Sequence, residues 1–546
     1  IIGKPAGVTD ARDIVQGGGY YGIDANIPDA LVAVVARCPY FEGDIEALDS
    51  SDAKKIPGVR HIIRLAAPDS AEGVLDNMAA GVAVVADDTW AAKKGREALK
   101  IKWRRGKWGD DSTAALEARA HAALAGEGQI VRADGDVVAA ASEAAHKVSA
   151  SYTLPFLAHS TMEPQNALVD IKHNQVTVIA SIQQPARTAR TVSRITGIDR
   201  ANIDVEIPRA GGGFGRRLEV DFVAEATLIA MEVGKPIKLV WMREDDIKND
   251  YYRPFGVHQF KATLDENNEV SSWSHQLAST GKRYMQPAFA RANPWLAVME
   301  PDQFPAGCVA NYRAEFMELA FGLLCGWWRG PAPTFLAFPV QSFIDEVAVA
   351  AQRDPLELRL SLLGEARDLK YGDHGGPVFN TGRLAEVTKK VAAAIDYGRK
   401  LPKGHGIGIA SHFVFGGYAA HAMEVSIRDG RLEIHRCVCA IDIGQVVNPL
   451  GVEAQMMGGT IDGLSTAMNL EITVKDGKIE QSNFPDYPLL RMADAPDVEV
   501  FIIDSDLPPV GCGEMGIPTA APALTNAIFA ATGKRIRRLP IGDQLA

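Results

Sequence analysis

Along the chain the spacing of apolar residues changes several times, and each change predicts an element. Leu31-Val32-Ala33-Val34-Val35-Ala36 and Val82-Ala83-Val84-Val85-Ala86 have the length and β-branched content of short strands. Pro57-Gly58-Val59 reads as a turn, and Thr89 to Leu99 has helical spacing. From about Gly106 to Gly128 the sequence is charged and Ala-rich, which predicts a linker with a surface helix. A long α/β pattern then runs to about Ile395. Within it an alternating run, Ile203-Asp204-Val205-Glu206-Ile207, precedes an apolar helical stretch from Val220 to Met231. Beyond Leu401-Pro402-Lys403-Gly404, strands are expected at Ala422–Ile427 and Leu432–Ala440. Helices are expected at Gln455–Asn469 and Pro522–Thr532, the second within an Ala-rich segment that begins at Thr519. The fold class is therefore mixed α/β, an α+β arrangement with divisions at 1–105, 106–144, 145–400 and 401–546.

Composition narrows the function classes. A chain of 546 residues exceeds one ordinary core, so two to four domains are expected. The net charge of −11 argues against broad nucleic-acid binding, which needs a basic footprint. No apolar run approaches the roughly 20 residues that span a bilayer. The six cysteines form no CxxC pair and no metal-type cluster. Cys437 and Cys439, two apart, would share one face of a strand and serve packing. Any iron or flavin used in redox chemistry is thus expected on another polypeptide. The chain opens Ile1-Ile2-Gly3-Lys4-Pro5, without an initiator Met, as expected of a sequence that lost a piece or starts partway into a longer product.

Two glycine turns carry the candidate chemistry. The first, Gly211-Gly212-Gly213-Phe214-Gly215-Arg216-Arg217, stands between a strand and a helix. That is the layout of a dinucleotide fold, but the GxGxxG spacing is missing and no P-loop Lys-Ser/Thr pair follows. The second is Gly511-Cys512-Gly513-Glu514-Met515-Gly516, where a single carboxylate sits between glycines ahead of a predicted helix. It reads either as a helix cap or as a base held against a bulky ligand. Gln183 and Gln184 close a probable strand and offer amides to a heterocyclic edge. His159-Ser160-Thr161-Met162-Glu163-Pro164 is equally ambiguous, and Arg329 beside Trp327 and Trp328 suits either an oxyanion or a structural stack.

The order of Gly211–Gly215, Trp328-Arg329-Gly330, Asp442-Ile443-Gly444 with Asn448-Pro449, Gln455 to Gly463 and Gly513-Glu514 resembles the molybdenum-binding subunit of the xanthine oxidase family. Arg216-Arg217 and the ending Pro522 to Pro540 are similar to its isoquinoline oxidoreductase and membrane-bound aldehyde dehydrogenase branch. The resemblance spans nearly the whole chain. It implies an α/β hammerhead domain over 1–105, followed by two molybdopterin-binding domains.

It also implies a molybdenum held by molybdopterin, in the cytosine dinucleotide form, with no side chain as metal ligand. Glu514 matches the family's catalytic glutamate, a base that activates the oxygen delivered to an electron-poor carbon. Gly212, Gly213, Phe214, Gly215, Arg216, Gln183, Gln455 and Gly513 are implied at the cofactor. Arg329, Phe413 and Phe415 are implied at the substrate pocket, although packing in a strand also accounts for the aromatic pair. A second pocket glutamate has no match; Leu218 and Glu219 merely follow the first turn. Oxidation of an aldehyde to its acid is therefore expected, with hydroxylation of an N-heterocycle beside its nitrogen as the alternative. A metal-free assembly protein is the rival from another class. The family's Met-Gly-Gln-Gly segment does not occur in the sequence, so another segment or chain is expected to complete the site. The implied partners are a small [2Fe-2S] subunit and a cytochrome c subunit, and the implied location is periplasmic or membrane-associated through them, otherwise cytoplasmic.

Overall fold

The computed structural model describes residues 2–66, 78–281, 293–296, 298–370 and 377–546. Helix and strand are mixed throughout, on three main sheets. The first sheet has seven strands in the order Ile203–Glu206, Gln175–Ile179, Asn166–Lys172, Ile237–Val240, Leu31–Arg37, Gly81–Ala86 and Val59–Leu65. Leu31–Arg37 lies parallel to Ile237–Val240, pairing Leu31 with Ile237 and Ala33 with Leu239. The sheet thus joins strands from both sides of residue 105, so the expected division there coincides with no sheet edge. Gly81–Ala86 is buried at every position, in keeping with a strand covered on both faces.

A five-stranded sheet, with Gln129–Asp134 and His146–Leu154 at its edges, packs on the Pro333–Ala350 helix. That helix is buried from Pro333 to Ala348. Among the described residues no single helix is long and apolar enough to cross a membrane.

The third sheet runs His405–Val414, Gly417–Arg428, Arg431–Asp442 and Val498–Ile502. Cys437 and Cys439 lie in its third strand, both fully buried. The Ala520–Thr532 helix lies against the first strand with no side chain between: a Cβ on Gly408 would fall 2.1 Å from the Ala527 nitrogen. The small residues Ala520, Ala523 and Ala527 permit this approach, which brings the preceding turn, residues 511–516, to one end of the sheet. His421 pins the same corner, its ring lying 2.7 Å from Thr519 Oγ1 and 2.8 Å from Thr460 Oγ1. Thr460 donates its own proton to the Met456 carbonyl, so it accepts from His421 Nε2–H.

Candidate active site

One wall of the site is the first glycine turn. Gly212, Phe214 and Gly215 all have positive φ, 101°, 52° and 109°. At Gly215 no side chain fits, because a Cβ would lie 1.5 Å from the Trp327 carbonyl oxygen. Arg217 ties the turn down from behind. Its guanidinium donates to the carbonyls of Gly212 at 2.6 Å, Ser181 at 3.1 Å and Glu163 at 2.9 Å, and to the Glu163 carboxylate at 3.0 Å. The same carboxylate accepts from Gly211 N–H at 2.7 Å. Burial lowers the Arg217 pKa, with the Glu163 charge opposing. Deletion of one partner of so buried a pair typically costs about 3–5 kcal/mol.

Arg216 turns the other way. It is buried, makes a two-pronged pair with Asp221 at 2.9 and 2.7 Å, and approaches Asp250 at 3.2 Å. Its guanidinium is enclosed by Tyr251, Trp241 and Phe222, so it is an anchor of the fold and not a group facing the cofactor. Asp250 in turn faces His159 Nδ1 at 2.9 Å, while His159 Nε2 donates to the Trp327 carbonyl at 2.9 Å. Burial raises the Asp250 carboxyl, but the His159 and Arg216 charges outweigh it and its pKa is lowered. His159 thus faces an oxygen with each ring nitrogen and links the turn to the 327–330 segment.

The opposite wall is the second glycine turn. Glu514 Oε1 accepts from Gly330 N–H at 3.0 Å. Arg329 Nε donates to the Gly513 carbonyl at 2.6 Å, and Nη2 to Gln455 Oε1 at 2.9 Å. Nη1 lies 3.5 Å from Asp462, and the guanidinium carbon lies 5.8 Å from the centre of the Phe214 ring. Glu514, Gly513, Gln455, Arg329 and Phe214 are thus brought together. Gln183 joins them on the turn side, its backbone N–H donating to the Arg217 carbonyl at 2.9 Å and its side-chain amide lying against Gly213.

Several expectations change. The helix after Glu514 begins at Ala520, so the carboxylate is not at a helix N-terminus; Gly330 N–H supplies its donor instead. Phe413 is 7% exposed and packs on Phe379 and Tyr418, with ring centres 5.3 and 5.2 Å away, so it is core and not pocket. Phe415 is not in a strand at all. It sits in the following turn with φ 48°, 43% exposed. Its neighbours Gly416 and Gly417 abut Val510 and Met515, so the Phe415 turn flanks that of Glu514. Glu219 is buried against Arg187 at 2.8 Å and offers no second carboxylate to the cleft. Asp462 is a site residue that the sequence reading missed. It lies seven residues after Gln455, two helical turns along the same face, which was the available signal.

The arrangement suits a large, oxygen-rich ligand. The N–H groups of Gly212, Gly213, Phe214 and Gly215 donate to nothing among the described residues. A Cβ at Gly511 or Gly513 would point into open space, and Glu514 Oε2 has no partner among the described residues. Free backbone donors on one wall and an uncommitted carboxylate oxygen on the other fit an anionic group such as a pterin-held metal oxide. Among the described residues no cluster of three or more His, Cys, Asp or Glu is placed to hold a metal ion.

Known proteins share this build. Two family descriptions, both molybdopterin cofactor-binding domain, match residues 121–362 and 378–496. The chain is 28% identical to the isoquinoline 1-oxidoreductase subunit beta of Brevundimonas diminuta, covering 100% of this chain and 69% of the relative. It is also 28% identical to a membrane-bound aldehyde dehydrogenase (pyrroloquinoline-quinone) of Gluconacetobacter polyoxogenes, over 96% of this chain and 70% of that protein. Quinoline 2-oxidoreductase from Pseudomonas putida 86 superposes with a TM-score of 0.78 at 16% identity, covering 100% of this chain and 97% of that one, which shows the shared fold.

Proposed function

Because this chain belongs to the molybdenum-binding large subunits of the xanthine oxidase family, we propose that it oxidises an aldehyde to a carboxylic acid, with water as the oxygen source. It is a molybdopterin-dependent oxidoreductase component. When bound, the molybdenum–pterin group supplies oxygen transfer to the substrate carbon and takes up two electrons. Gly212–Gly215 would hold that group through backbone donors, with Gln183 and Gln455 beside them. Glu514 is the base: Oε1 is fixed by Gly330 N–H, and Oε2 is left to accept the proton. Arg329 orients the turn through Gly513 and presents positive charge where a carbonyl oxygen gains negative charge.

The single observation that carries this reading is the Glu514 carboxylate held by one oxygen only, across from the free donors of the glycine–phenylalanine turn. An aldehyde is preferred because Glu219 is buried with Arg187 and Asp462 is committed to Arg329, which leaves no second carboxylate to grip a heterocycle. Hydroxylation of an N-heterocycle beside its nitrogen is the second reading, favoured by the exposed Phe415 ring at the rim. A metal-free assembly role is not favoured, since the base and both glycine turns are present. In the full proposal the pterin is the cytosine dinucleotide form. Electrons leave through a small [2Fe-2S] subunit to a cytochrome c subunit, in a periplasmic or membrane-associated complex. A polypeptide segment with the Met-Gly-Gln-Gly sequence completes the cofactor site.

The test is purification of the native complex, metal analysis, and a panel of aldehydes set against N-heterocycles. A kcat/KM at least ten-fold higher for aldehydes supports the proposal, and the reverse ratio selects the second reading. Absence of molybdenum, or turnover of neither class, overturns both.

A further inference from the structure

The short stretch from Ala158 to Glu163 runs behind the cleft and holds both of its walls. At one end Glu163 binds Gly211 N–H and Arg217. At the other the Ala158 carbonyl accepts from Trp328 Nε1 at 3.2 Å and from the Tyr487 hydroxyl at 3.0 Å. His159 makes the longest reach. Its side chain is 1% exposed, with Nδ1 at 2.9 and 3.0 Å from the two Asp250 oxygens and Nε2 donating to the Trp327 carbonyl at 2.9 Å. Asp250 also accepts from the His159 backbone N–H, and Arg216 Nε stands 3.2 Å from the same carboxylate. Ring and backbone are thus tied to one anchor, which leaves Nε2 aimed at Trp327.

The Trp327 carbonyl is where the two walls meet. A Cβ on Gly215 would fall 1.5 Å from its oxygen and 3.3 Å from His159 Nε2. Three residues further on, Gly330 N–H donates to Glu514 Oε1 at 3.0 Å, and between them Arg329 donates to the Gly513 carbonyl at 2.6 Å. Residues 327–330 are therefore a spacer. One edge lies against the glycine–phenylalanine turn, and the other carries the Glu514 carboxylate. A carbonyl packed this tightly loses free energy when its donor is removed, so loss of the Nε2 contact favours a shift of the spacer, and Glu514 moves with it.

We propose that His159 is a positioning residue for the base: through Nε2 it sets how far the 327–330 segment, and with it Glu514, stands from the glycine–phenylalanine turn. This rests on the reading above that Glu514 is the base. His159 is buried and acts only through the Trp327 carbonyl. Proton transfer needs the two heavy atoms within hydrogen-bond reach, and a misplacement of about 1 Å costs up to about 10²-fold in rate. Arg329 keeps its separate hold on Gln455 and Asp462, so the pocket side of the spacer stays attached. The effect is therefore expected in kcat and not in KM.

Two substitutions made in the native complex separate the two arms of His159. A Gln amide reaches about as far as Nε2 and keeps a donor for Trp327, whereas an Asn amide reaches only as far as Nδ1 and keeps Asp250 alone. His159→Asn is expected to lower kcat per bound molybdenum by about ten-fold or more, with KM within about two-fold. Its crystal structure is expected to show the Gly330–Glu514 hydrogen bond broken. His159→Gln is expected to return kcat to within about three-fold of the wild type, with that bond intact. A wild-type kcat in His159→Asn, an equal loss in both variants, or an intact Glu514 contact in a slow His159→Asn overturns the proposal. So does a loss of activity that only follows molybdenum content or soluble yield. Should His159→Asn not fold, Trp328→Phe frees the spacer from Ala158 instead: a kcat lowered about three-fold or more at unchanged KM supports the proposal, and an unchanged kcat overturns it. Turnover of neither aldehydes nor N-heterocycles by the wild type refutes the functional reading, while the crystal structures still decide whether His159 sets the Gly330–Glu514 contact.

Discussion

The two glycine turns that face each other across the cleft are built on opposite principles. Residues 211–217 are clamped from behind by buried charge: Arg217 binds three carbonyls and Glu163, while Arg216 is locked to Asp221 and Asp250. Residues 511–514 are more open: a Cβ on Gly511 or Gly513 would meet nothing, the Gly513 carbonyl accepts from Arg329, and Glu514 is held by one N–H. The first wall presents fixed dipoles, whose value depends on not reorganising. The second carries Glu514, the proposed base, which in that role must take and release a proton and has one oxygen uncommitted among the described residues. The buried ions are best understood as a device for rigidity, since a buried ion pair adds little net stability over an apolar substitute.

Four substitutions probe this contrast, from the largest effect to the smallest. Gly215→Ala drives a methyl into the Trp327 carbonyl and is expected to cost more than about 4 kcal/mol, lowering both soluble yield and molybdenum content. Glu514→Gln is expected to cut turnover by about 10³-fold, with molybdenum content and thermal midpoint nearly unchanged; wild-type rates in that variant exclude it as the base. Asp462→Asn is expected to lower kcat/KM a few-fold and to change its pH profile. Burial raises the Asp462 carboxyl to about 6, against the opposing Arg329 charge. Above that pH the carboxylate is ionised and pairs with Arg329; below it the pair is lost, so an acid-side inflection near 6 should vanish in the variant. The sign for stability is the reverse. The native state binds this proton more tightly than an unfolded carboxyl of about 4, so ionisation costs stability as pH rises from there to about 6. An unaltered profile in Asp462→Asn removes the residue from the site. Gly513→Ala, whose methyl enters open space, is expected to shift stability by less than about 1 kcal/mol, measured by thermal unfolding. If it proves as damaging as Gly215→Ala, the contrast between the turns fails.

The errors in the sequence reading share one cause. Strand and helix periods tell which face a residue takes only while the element lasts. Phe413 and Phe415 are two apart, as on one face of a strand, yet the strand stops at Val414 and the backbone turns left-handed at Phe415. Arg216 and Arg217 are adjacent and chemically identical, and nothing local says that one reaches the turn and the other the core. Glu514 stands before a helix in sequence but is separated from it by a turn. Asp462 was legible in principle from its two-turn spacing to Gln455, provided Arg329 was known to lie between them.

Linear order and local chemistry were enough for the mixed α/β class, the positions of the main strands and helices, and both glycine turns, and they singled out Glu514 as a carboxylate set between glycines. Those follow from hydrophobic period and from residue types that a short stretch of backbone interprets alone. Tertiary structure decided the rest: which wall is rigid, which oxygen of Glu514 is free, and that Asp462 faces Arg329. Each of these is a contact between separate segments, those of Glu514 and Asp462 more than a hundred residues apart, or a missing contact. Close packing of the intervening elements sets such distances, and no local propensity encodes them.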